Sequence, residues 1–98
     1  MQYEELHSRY GTHVSQRVRR ELTPAEFTRA QIDNLPEWLA TRAETAHAEY
    51  RRLQNNPLVS SHADTTRTAE ACRRWREAED LAYLVAIAED VTLNARAG

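Results

Sequence analysis

Apolar residues recur along this chain at steps of three and four, the period of one face of an α-helix. From Gln2 to Glu21 the stripe is Tyr3, Leu6, Tyr10, Val14 and Val18, continued by Leu22. It predicts a first helix, bent or broken near Gly11-Thr12, because glycine inside a helix costs about 1 kcal/mol relative to alanine. Glu5–Arg9 and Arg17–Glu21 are spaced as i,i+4 ion pairs on that helix. Thr23-Pro24-Ala25-Glu26 reads as the start of a second helix. The threonine can accept a hydrogen bond from the Glu26 N–H, the glutamate can reach back to the cap, and proline at the first position loses no hydrogen bond. This helix is expected to be short and to end near Asp33, with Phe27, Ala30 and Ile32 inward.

A third helix is predicted from near Pro36, capped by Asp33 or Asn34 and ended by Asn55-Asn56-Pro57. Its stripe of Leu35, Trp38, Leu39, Ala43, Ala46, Tyr50 and Leu53 has a spacing close to 3.5 residues, which suits antiparallel packing on another helix. Leu58 and Val59 are expected to plug the end of the core. A fourth helix is predicted to start at Ser61-His62-Ala63-Asp64, or a few residues later, and to run to about Asn94. Ala69, Cys72, Trp75, Ala78, Leu81, Ala82, Val85, Ala88 and Val91 make its stripe. Glu70–Arg74, Arg73–Glu77 and Arg76–Asp80 are i,i+4 pairs on its solvent side.

The predicted fold class is all-α: a small three- or four-helix bundle in a single domain, residues 1–98, with a long C-terminal helix. Helices 3 and 4 are expected to form an antiparallel hairpin. Leu6, Tyr10, Val14, Val18, Leu22, Phe27, Leu35, Trp38, Leu39, Tyr50, Leu53, Trp75, Leu81, Leu84, Val85 and Val91 are the expected core. Residues 81–88 are apolar on every face, and such a helix is surrounded on all sides. Either the other helices enclose it near the centre, or a second copy of the chain does, giving a homodimer through the C-terminal helix.

Composition agrees with helices. Two glycines and three prolines are too few for the turns of an all-β domain. A chain of 98 residues holds one modest core. All thirteen basic residues are arginine, as a G+C-rich genome produces, and the net charge of −2 argues against a strong nucleic-acid binder. A lone cysteine, Cys72, excludes an internal disulfide and a Cys-rich zinc site. The N-terminal residues lack the basic and apolar regions of a secretory signal. The longest apolar run falls well short of the ~20 residues of a membrane span. A cytoplasmic location and no membrane partner are expected.

Candidate chemistry is sparse. Glu44 and His47 form one Glu-x-x-His pair on helix 3, whereas a carboxylate-bridged di-metal bundle needs two such pairs and two further glutamates. Only a symmetric dimer could complete that site, and no metal or other cofactor is assigned. His7, His13, His47 and His62 include no i,i+4 pair. Cys72 falls on the apolar stripe, away from any base or helix N-terminus that would activate it. Nothing in the spacing supports catalysis.

Two arginine clusters remain: Arg17, Arg19 and Arg20 at the end of helix 1, and Arg73, Arg74 and Arg76 around Trp75. Arginine is enriched at protein interfaces and at their hot spots. The leading expectation is a non-enzymatic protein-interaction module, a bacterial or phage type of accessory, regulator or inhibitor, binding a larger protein through these six arginines. The alternative is a dimeric DNA-binding regulator that grips the duplex with Arg17, Arg19, Arg20 and Arg29.

Overall fold

The structure, a computed structural model, describes residues 1–55 and 62–97, and the side chains of 1–55 and 65–91. Four helices follow in order: α1 (Tyr3–Glu21), α2 (Pro24–Arg29), α3 (Leu35–Gln54) and α4 (His62–Ala97). A 3-10 turn, Ile32–Asn34, joins α2 to α3. No strand occurs among the described residues, so the all-α class holds. The chain measures 54 × 26 × 19 Å. Thirty-six residues of α4, at a rise of about 1.5 Å each, account for the whole long axis.

α1 is broken where the sequence marks it. Gly11 has φ 86 and ψ 179, a conformation almost confined to glycine. Beyond it the chain folds back: the guanidinium of Arg19 lies over the Tyr3 ring, 4.8 Å from its centroid. Along a straight helix those residues would stand about 24 Å apart, beyond the reach of their side chains. The two arms of α1 are pinned at the corner by a hydrogen bond between His7 Nε2 and Thr12 Oγ1 at 2.9 Å. Ser15 is fully buried beside the corner because its hydroxyl donates to the Thr12 carbonyl at 3.0 Å.

α3 and α4 pack closely along their length. Leu35 and Leu39 join Leu81 and Val85 in one cluster, while His47 and Tyr50 stack on Trp75. Numbers rise on α3 as they fall on α4, so the two helices run antiparallel, as expected. Leu6, Val14, Val18 and Leu22 of the first segment and Ala30 complete the core cluster over the same end of the hairpin. Each fully buried leucine or valine there contributes about 1.5–3 kcal/mol of transfer free energy. Arg9 and Arg17 fasten α1 to α4 through Glu89 and Asp80.

Several expectations are corrected. α2 ends at Arg29 rather than near Asp33. Its last carbonyls, on Phe27 and Thr28, accept from the Met1 ammonium at 3.1 and 3.3 Å, so they need no further helical turn. Asn34 caps α3 without a side-chain bond, because the 3-10 turn runs directly into the helix and Leu35 N–H donates to Ile32. Arg9 pairs with Glu89 and Asp33 instead of Glu5, since the folded arm turns it toward α4. Asp80 is taken by Arg17, not by Arg76.

Of the expected core, Tyr10, Phe27, Trp38, Tyr50, Trp75 and Leu84 are half-buried, and Val91 is 62% exposed. Leu81 and Val85 face inward, but Tyr83 and Ile87 face out, so the chain encloses only one side of the apolar run. The expected plug at Leu58 and Val59 and the capping side chains at Ser61–Asp64 lie outside the described residues. Among the described residues no helix is long and apolar enough to cross a membrane.

Candidate interaction surfaces

The first arginine cluster splits three ways. Arg17 is spent within the fold: its Nη2 lies 3.0 Å from Asp80 and its Nε donates to Glu21 at 3.0 Å. The hydrogen bond to Asp80, reinforced by Glu21, raises its pKa further and outweighs the opposing effect of burial. Arg19 lies on Tyr3, a cation–π contact. Arg20 is exposed and has no ion-pair partner among the described residues. In the second cluster Arg73, Arg74 and Arg76 are all exposed, and Arg74 makes only a 3.9 Å contact with Glu70.

Arg20 and Arg74 come together at one concave surface of about 1190 Å³. It opens where α1 ends against the α3–α4 hairpin and continues beside the start of α2. Trp38, Ala46, Ala71 and Ala78 supply its apolar lining, and Thr41 and Thr45 its exposed floor. Ala71 and Ala78 are themselves buried, so the short side chains make a hollow over a closed α3–α4 seam. Arg73 and Arg76 do not line it.

The wall beside α2 is fixed by Arg42, which the sequence pattern did not single out. Its Nε donates to Glu26 at 2.8 Å and its Nη2 to the Glu21 carbonyl at 3.2 Å. Glu26 also closes the expected capping box with Thr23, each accepting from the other's backbone N–H. Burial opposes ionisation of Glu26, but the hydrogen bonds from Arg42 and Thr23 win and hold its carboxyl below the ordinary range. Only the i,i+3 capping box was legible in advance; the Arg42 contact spans sixteen residues with no periodic signal.

The lining carries five glutamates, Glu21, Glu26, Glu37, Glu49 and Glu77, against Arg20, Arg42 and Arg74. Glu21, Glu26 and Glu49 are paired with Arg17, Arg42 and Arg52, which leaves Glu37 and Glu77 beside Arg20 and Arg74, two charges of each sign. Of the residues expected to grip a duplex, Arg17 is paired with Asp80 and Glu21, while Arg19 is exposed with its guanidinium over the Tyr3 ring. Arg29 closes α2 as an exposed residue away from the concavity lining.

On the other flank of the hairpin, His47 stacks on Trp75 with centroids 4.3 Å apart, and Tyr50 on the same indole at 5.7 Å. Trp75 Nε1 donates to Glu79 at 2.9 Å. His47 is thus a half-buried ring packed on the indole. No cluster of three or more His, Cys, Asp or Glu side chains suited to a metal occurs among the described residues. Cys72 is half-buried. No known protein family, curated protein or solved structure matches the chain.

Proposed function

We propose that this chain is a non-enzymatic protein-binding module, a small regulator or inhibitor that docks a segment of a larger protein in the concavity at the end of α1. The observation that carries the reading is the open hollow between Trp38, Ala46, Ala71 and Ala78, ringed by charged side chains of both signs. An apolar centre with a polar rim is the common anatomy of a protein interface. Arg20 and Arg74 are the members of the two expected clusters that reach it, and they are the arginines placed to serve as anchors. Binding by occlusion needs no chemistry of the module's own.

The test compares tagged wild-type chain with Thr41→Arg and Thr45→Arg as bait in lysate of the source cells, with and without nuclease, read by mass spectrometry. Both threonines are exposed, so the bulky replacements block the hollow without entering the core. A stoichiometric protein that survives nuclease and is lost from both variants supports the reading. The same proteins on all three baits, or capture of nucleic acid alone, overturns it.

A further inference from the structure

We infer that α4 pairs with α4 of a second copy of this chain, antiparallel, about a two-fold axis at Tyr83. The inference is independent of the concavity, which lies on another face. Tyr83, Ile87 and Val91 are 68, 43 and 62% exposed. They recur every four residues and so form one line along the helix. Leu81 and Val85, on the opposite side, are fully buried against the rest of the chain.

The charges flanking this line complement their own reverse. Arg76 precedes Tyr83 by seven residues and Asp90 follows it by seven. Both are exposed, and among the described residues neither has an ion-pair partner, since Arg17 has taken Asp80. An isologous contact places residue i against j and j against i. With the axis at Tyr83, Arg76 of each copy therefore meets Asp90 of the other, twice over. In the same register Glu79 faces Ile87 and Asp80 faces Ala86; Glu77 and Glu89 share a level but lie off the Tyr83 line, Glu77 in the concavity wall and Glu89 against Arg9. Sliding the helices one turn, to set Tyr83 against Ile87, brings Asp80 opposite Asp90 and costs a like-charge clash on both sides.

Three side chains cover much less than the ~800 Å² per partner of a standard interface. The pairing is therefore weak and reversible, forming at tens of micromolar or above, with the two exposed ion pairs setting its register more than its strength.

Sedimentation velocity on the full chain, from about 5 to about 500 μM, tests this. The expected result is a concentration-dependent monomer–dimer equilibrium. Tyr83→Arg abolishes it. Arg76→Asp and Asp90→Arg each weaken it roughly tenfold, and the double reversal restores it. Circular dichroism and thermal melting confirm that each variant is folded, as expected for exposed positions. A monomer throughout the range overturns the inference. So does a dimer indifferent to Tyr83→Arg, or single reversals that the double variant does not rescue.

Discussion

The guanidinium of Arg9 lies 2.6 Å from the carboxylate of Glu89, across eighty residues of sequence. Both side chains are largely covered, at 26 and 19% exposure, and Arg9 also reaches Asp33 at 3.4 Å. One residue of the folded N-terminal arm therefore ties together α1, the turn before α3 and the last third of α4.

Removing one partner of an enclosed ion pair strands the other. Arg9→Ala is expected to cost about 1–3 kcal/mol, because Glu89 loses its charged donor in a mostly dry site. The double variant Arg9→Ala/Glu89→Gln is expected to recover part of that loss. Urea unfolding of the two variants and the wild type measures it. Equal midpoints for wild type and Arg9→Ala would mean the pair holds nothing together.

Tyr10 adds an alkaline signature to the same cluster. Its hydroxyl is buried without a hydrogen bond of good geometry. Burial, with the Glu89 carboxylate alongside, pushes the phenol well above its ordinary value of about 10. The folded state therefore favours the neutral phenol, whereas the unfolded chain releases its proton near pH 10. Stability is unaffected below that pH and falls above it. The urea midpoint of wild type should fall between pH 8 and pH 11, and the fall should shrink in Tyr10→Phe. An identical fall in both would assign it to other groups.

The corner at Gly11 makes a separate claim. A Cβ there would meet nothing within 4 Å, so a substitution adds no steric clash with neighbours. The backbone angles alone are unfavourable for an L-residue, by about 1–3 kcal/mol. Gly11→Ala is expected to lose that amount, a fall of about 4–8 °C in Tm for each kcal/mol in a domain of this size. The ordinary gain from replacing a helical glycine has the opposite sign. A rise in Tm would show that residues 3–21 form one straight helix in solution, without the fold-back that sets Tyr3 beneath Arg19.

The elements of the fold were legible because local rules govern them. The stripes of α3 and α4, the break at Gly11 and the box at Thr23–Glu26 each depend on neighbours within a turn or two. What pairs across the fold was not. Arg9 chose Glu89 over Glu5, and Arg17 took Asp80 away from Arg76, because the fold-back of α1 brings distant groups closer than the i,i+4 partner. Periodicity also misassigned Val91, since a stripe shows which residues share a face but not where the covering helix stops. The candidate surface suffered most. Of six arginines named for it, Arg20 and Arg74 line the concavity, and its apolar lining is largely alanine, which carries little signal in a sequence.

The Thr23–Glu26–Arg42 junction should contribute to the acid side of the stability profile. Glu26 accepts from Arg42 at 2.8 Å and from the Thr23 N–H at 3.0 Å, and these bonds favour its ionised form against partial burial. Its folded pKa is thus depressed. The associated stability is fully present above the ordinary carboxyl value of about 4.3, and is lost as pH falls through the lower folded value. Thr23→Ala removes the cap at any pH and is expected to cost about 1 kcal/mol. Glu26→Gln behaves differently: it is less stable than wild type at pH 7, where the charged bonds are missing, and the gap narrows as pH falls below about 4.3, where wild type begins to lose them. Urea unfolding of the three proteins at pH 7, 5 and 3 separates the cases. If wild type and Glu26→Gln remain separated by the same margin down to pH 3, the Arg42 contact does not act through the charge of Glu26.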